Sequence, residues 1–88
     1  MKHIDYQHVS AVSSAIQQIL DSSGQQDAKA ADLMPALAKR GLLKETSRPG
    51  SPLRDLCRDL DEANALNRLP QVRVERGNAN RQWFFNAV

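Results

Sequence analysis

The sequence predicts a mainly α, α+β fold: a three-helix bundle followed by a C-terminal β-hairpin. Two observations carry this expectation. From Val9 to Leu60 the apolar residues recur at spacings of three and four, the mark of helices that bury one face. From Val72 onward the period drops to two, the mark of strands.

Helix one is expected over residues 6–20. Val9, Val12, Ile16, Ile19 and Leu20 form its inward stripe, Asp5 is its N-cap, and Ser22-Ser23-Gly24 is its stop. Ser13, Gln17 and Gln18 are expected to face water. Residues 25–29 are short and polar.

Helix two is expected over residues 30–40, with Leu33, Met34 and Leu37 inward. Pro35 fits if it falls in the first turn, whose N–H groups have no intrahelical partner, so it argues for a start near Ala31 or Asp32. Lys39 and Arg40 suit the negative end of the helix dipole, and Gly41 is the expected residue just beyond it.

Residues 44–50 (Lys-Glu-Thr-Ser-Arg-Pro-Gly) are loop by composition. Ser51-Pro52 then predicts a hydroxyl N-cap with proline at the first helical position. This third helix buries Leu53, Leu56, Cys57 and Leu60. Arg54 and Arg58 share an exposed face, and Asp55, Asp59, Asp61 and Glu62 line the rest.

After Leu69-Pro70 the alternation begins. Pairing Val74 with Trp83 and Val72 with Phe85 puts all four on one face, leaving Phe84 on the other face beside Arg73. The loop between the strands is then Gly77-Asn78-Ala79-Asn80, whose glycine and asparagines tolerate positive φ.

The 88 residues suffice for one small domain, expected over residues 6–86 with residues 1–5 as an N-terminal tail. A hydrophobic fraction of 41% with 25% charged residues excludes wholesale disorder. Cys57 is the sole cysteine, so no intramolecular disulfide forms, which fits a reducing compartment. The N-terminal residues carry no apolar signal-peptide segment, and no run approaches the ~18 apolar residues of a membrane span. The expectation is a cytoplasmic chain with no membrane partner.

Catalytic chemistry finds little support. Cys57 falls on an apolar stripe, where a free thiol behaves as a small hydrophobe. His3, His8 and Cys57 lack metal-ligand spacing, and each glycine reads as a turn residue, not as part of a phosphate-binding loop. The acids of the third helix read as a solvated face without a pocket to shift their pKa values. No enzyme activity, metal or cofactor is expected.

Charge points instead to binding. The chain carries only +2 overall, but residues 66–88 hold Arg68, Arg73, Arg76 and Arg81 against the single acid Glu75. Arginine is the side chain best suited to bidentate phosphate contacts.

The order helix, short polar segment, helix, helix, strand, loop, strand resembles the winged helix-turn-helix superfamily, a resemblance of layout over nearly the whole chain. It implies a minimal strand at residues 25–29 that pairs with the hairpin, a third helix that enters the major groove, and a hairpin wing on backbone or minor groove. The residues that would face nucleic acid are then Ser51, Arg54, Asp55 and Arg58 on the helix. Arg73, Arg76, Asn78, Asn80 and Arg81 would do so on the wing, with Lys44 and Arg48 on flanking phosphates. The implied function is nucleic-acid binding, with duplex DNA the first target, as a small transcription regulator or the N-terminal module of a larger protein.

A second class competes with it: a protein-interaction or dimerisation module, homodimer included, on the same scaffold. The mixed charge of the third helix favours this alternative, as does Phe84 on the outer face of the hairpin.

Overall fold

The structure is a computed structural model that describes residues 3–88. Its elements are α1 (Tyr6–Ser23), α2 (Ala30–Lys39), α3 (Ser51–Glu62), a one-turn 3-10 helix (Leu66–Arg68), β1 (Val72–Arg76) and β2 (Arg81–Phe85). The predicted class, three helices and a C-terminal antiparallel hairpin, is the class observed.

The Asp5 carboxylate caps α1 by accepting the N–H groups of Gln7 at 3.0 Å and His8 at 3.2 Å. Gly24 closes the helix in the left-handed region, its N–H donating to the Leu20 carbonyl. Both α2 and α3 end in a paired reverse turn. Leu42 N–H reaches back to the Leu37 carbonyl and Gly41 N–H to Ala38; at the end of α3, Ala65 reaches Leu60 and Asn64 reaches Asp61. Leu42 and Leu43 thereby fold back onto the core.

Two helix starts differ from the sequence expectation. Pro35 is the sixth residue of α2, which begins at Ala30, so it lies beyond the first turn. It deprives the Ala31 carbonyl of its helical partner, and because Ala31 and Pro35 are both exposed, water can replace that bond. Ser51 is not the N-cap of α3. It is the first helical residue, Pro52 the second, and Gly50 at φ +79° holds the cap position with no side-chain cap bond.

That correction follows from packing. Gly50 is buried against the first turn of α2, and a Cβ there would lie 2.6 Å from the Ala31 nitrogen. Only glycine admits both the positive φ and this backbone-to-backbone approach.

The hairpin adopts the predicted register, with Val72 opposite Phe85, Arg73 opposite Phe84 and Val74 opposite Trp83. Its turn closes by a 2.8 Å bond from Gly77 N–H to the Asn80 carbonyl. None of Gly77, Asn78 and Asn80 takes positive φ, contrary to expectation. Ala28 adds one rung to the other edge of β2: it exchanges N–H and C=O bonds with Phe85 at 2.9 and 2.8 Å. The minimal strand implied by the layout is therefore a single pair.

Val9, Val12, Ile16 and Leu20 from α1, Leu33, Met34 and Leu37 from α2, and Leu53, Cys57 and Leu60 from α3 fill the core with Leu69, Trp83 and Phe85. Ile19 and Leu56 are only partly buried at its margin. Ser13 and Gln17 do not simply face water. They hold the buried side chain of Gln71, whose Nε2 donates to the Ser13 carbonyl and Gln17 Oε1 and whose Oε1 accepts from Ser13 Oγ. A buried amide requires such partners, and this set ties α1 to the segment before β1.

Candidate nucleic-acid interface

The residues expected to contact nucleic acid divide between the start of α3, the loop before it and the hairpin. Gly50 fixes the first of these by seating α3 on the N-terminal turn of α2. Arg54 then projects beside Lys29 and Ala30, with one guanidinium nitrogen donating to the Pro49 carbonyl at 3.0 Å. Ser51 is half-buried, while Lys44 and Arg48 are exposed on the loop, as are Asn78 and Asn80 at the hairpin tip.

Most of the remaining arginines are engaged within the chain. Asp61, near the end of α3, receives a two-pronged contact from Arg76 at 2.8 and 3.0 Å and a third bond from Arg81 at 2.9 Å. These bonds hold the Asp61 carboxyl down to about 2, the hydrogen bonds from Arg76 and Arg81 outweighing the opposing effect of its partial burial. The same contact pushes the Arg76 guanidinium further up. Glu62 lies 3.8 Å from the other end of Arg81.

On the outer face of the hairpin, Arg73 stands between Asp27 and Glu75, each at 3.3 Å, with its guanidinium over the Phe84 ring. Arg58 pairs with Asp55 one turn away at 3.4 Å, and both are exposed. The five arginines expected on the third helix and the wing, Arg54, Arg58, Arg73, Arg76 and Arg81, therefore do not form a single unopposed patch. Four of them, Arg58, Arg73, Arg76 and Arg81, have a carboxylate of this chain within reach.

What the structure does bring together is a pocket of about 230 Å³ lined by Lys29, Ala30, Arg54, Arg81, Gln82, Trp83 and Phe84. It opens along the edge of β2 that Ala28 covers only at Phe85. Three cations from three separate segments face it, and its lining contains no carboxylate. Lys29 makes no ion pair among the described residues.

Sequence reasoning reached Arg54 and Arg81 but missed Lys29, Gln82 and the aromatic wall. The usable signal was the position of residues 25–29 beside the hairpin: once Ala28 pairs with Phe85, Lys29 must lie at the same edge.

A second groove, along Ser13, Ser14, Gln17, Gln18, Gln71 and Val88, is lined by neutral side chains. Several of these are already joined to one another, as in the bonds of Gln17 to Gln71 and to the Val88 backbone. Burial, followed by the nearby Asp61 charge, pushes the Cys57 thiol up to about 12, the opposite of an activated nucleophile. Among the described residues no group of three or more His, Cys, Asp or Glu side chains is placed to hold a metal ion, and no helix is long and apolar enough to cross a membrane.

In comparisons with known proteins, the chain matches no family, no curated protein and no solved structure.

Proposed function

We propose that the chain is a cytoplasmic nucleic-acid-binding domain of winged-helix type, working through the face between α3 and the hairpin. The observation that carries this reading is the convergence of Lys29, Arg54 and Arg81 on one concavity whose lining holds no carboxylate, with Arg81 alone of the three also paired to Asp61 behind it. Held at fixed separations by α2, α3 and β2, these cations suit a phosphate backbone better than a dispersed surface charge does. Lys44 and Arg48, on the loop that leads into α3, extend the basic surface outward.

Fluorescence anisotropy with short labelled nucleic acids, between about 50 and about 200 mM salt, tests it. About three neutralised phosphates give a slope of log affinity against log salt near −2 to −3. The double substitution Lys29→Ala with Arg54→Ala lowers the magnitude of that slope by about two. Absence of binding at the lowest salt overturns the reading.

A protein-docking role is favoured by a different observation. Pairing of Arg58, Arg73, Arg76 and Arg81 with acids of the same chain leaves the outer hairpin and the C-terminal half of α3 nearly charge-balanced. Such a face suits a protein partner, a second copy included, more than a polyanion. Sizing at two concentrations distinguishes the two roles: a concentration-dependent dimer without nucleic-acid affinity supports docking.

A further inference from the structure

The pocket has a shape and a hydrogen-bonding edge that say more than its charge. In β2 the N–H and C=O groups of one residue point to the same side, and the side alternates along the strand. Phe85 directs both groups to Ala28, away from β1. Trp83, two residues earlier, therefore directs its N–H and C=O the same way, along the edge where the pocket opens. No strand covers that position among the described residues, because the chain that carries Ala28 turns into α2 at Ala30. A donor and an acceptor thus stand side by side at the pocket wall, flanked by the Phe84 ring and by Lys29, Arg54 and Arg81.

A regular duplex offers such a recess only its phosphates. Its base edges lie at the floor of grooves and are read by side chains that protrude into them. The aromatic wall and the peptide edge are engaged only by a group that reaches past the phosphate, and in nucleic acids that group is a base turned out of its stack. Building on the nucleic-acid reading above, we propose that the pocket takes a single unstacked nucleotide. Its phosphate lies among Lys29, Arg54 and Arg81, and the edge of its base pairs with the free peptide N–H and C=O of Trp83. Phe84 supplies an apolar wall, its ring half-buried and backed by Arg73. The domain then prefers single strands, loops or frayed ends to uninterrupted duplex.

Two measurements on the whole chain test this. In anisotropy titrations, a short single strand binds roughly tenfold or more tightly than the blunt duplex of the same sequence, the usual scale for one engaged base. In amide NMR spectra, a nucleoside monophosphate shifts the Trp83 amide strongly, whereas inorganic phosphate shifts the amides of Lys29, Arg54 and Arg81 and leaves Trp83 in place. Duplex binding as tight as single-strand binding overturns the inference and leaves the nucleic-acid reading standing. So does a Trp83 amide that stays unmoved by the nucleotide or moves equally with phosphate. Failure of both single strand and duplex to bind at low salt overturns both.

Discussion

Replacing Gly50 by alanine is the sharpest test of how the site is positioned. The substitution asks two things of the backbone at once. At φ +79° an L-residue sits in the left-handed region, which costs about 1–2 kcal/mol. The new Cβ also falls 2.6 Å from the Ala31 nitrogen and 2.9 Å from the Ala30 carbonyl carbon and the Ala31 Cα, all backbone atoms of the first turn of α2. No side-chain rotation relieves that contact, so α3 and α2 must part, an overpacking of about 1–3 kcal/mol. Stiffening of the unfolded chain returns about 0.4–1 kcal/mol, leaving a net loss of about 1–4.5 kcal/mol. For a domain of this size that lowers the melting temperature by about 4–35 °C, of which the overpacking alone accounts for about 4–24 °C. Gly24→Ala is the control: at φ +66° it bears similar strain, but nothing lies within 4 Å of its Cβ, so a drop of about 5 °C is expected. Thermal melts followed by circular dichroism compare the two. If Gly50→Ala melts within about 2 °C of Gly24→Ala, the close approach of α3 to α2 is wrong. The placement of Arg54 beside Lys29 then fails with it.

Three further outcomes follow from the packing and the ion pairs. Asp61 has a folded carboxyl depressed to about 2, so its stabilisation is complete above its unfolded value near 3.8 and is lost as pH falls through about 2. Asp61→Asn accordingly melts below the wild type at neutral pH, and the gap closes in acid; a gap independent of pH between about 5 and about 2 contradicts the pairing with Arg76 and Arg81. Gln71→Ala removes the amide that joins α1 to the segment before β1 and lowers stability by about 1–3 kcal/mol in denaturant melts, an effect absent if that amide is solvated. Cys57, buried with its thiol pushed up to about 12, reacts with a thiol reagent only as fast as the domain opens, so rapid labelling of the native protein places it outside the core.

The parts of the fold that were legible in the sequence are those set by local periodicity. Val72, Val74, Trp83 and Phe85 alternate with polar neighbours, and a four-residue loop allows one register that puts all four on the same face. Asp5 and Gly24 mark the ends of α1 because capping depends on residues within one turn. The start of α3 was misread for the opposite reason. A serine before a proline is a sound local signal, but contact between Gly50 and α2 moved the cap back by one residue.

The pairing of the arginines was equally hidden. Asp61 lies on a helix face that reads as solvated, and nothing local joins it to Arg76 and Arg81 on the hairpin. Ser13 and Gln17 looked outward until Gln71 arrived from a distant part of the chain. The pocket depends on several such long-range meetings at once. Spacing identified its arginines but could not place Lys29 beside them.

The single rung between Ala28 and Phe85 also sets when the pocket comes into being. It closes a loop spanning most of the molecule, and the pocket residues on either side of it, Lys29 and Ala30 on one strand edge and Arg81 to Phe84 on the other, meet only when that loop is closed. A partly folded chain with its helices in place but its ribbon undocked has no recess at all. Any occupant therefore recognises the finished structure alone and, by mass action, draws the population toward it: at a hundredfold excess over its dissociation constant, by about 2.7 kcal/mol. Occupancy and completion of folding are in this sense one equilibrium, and a shift in melting temperature registers both.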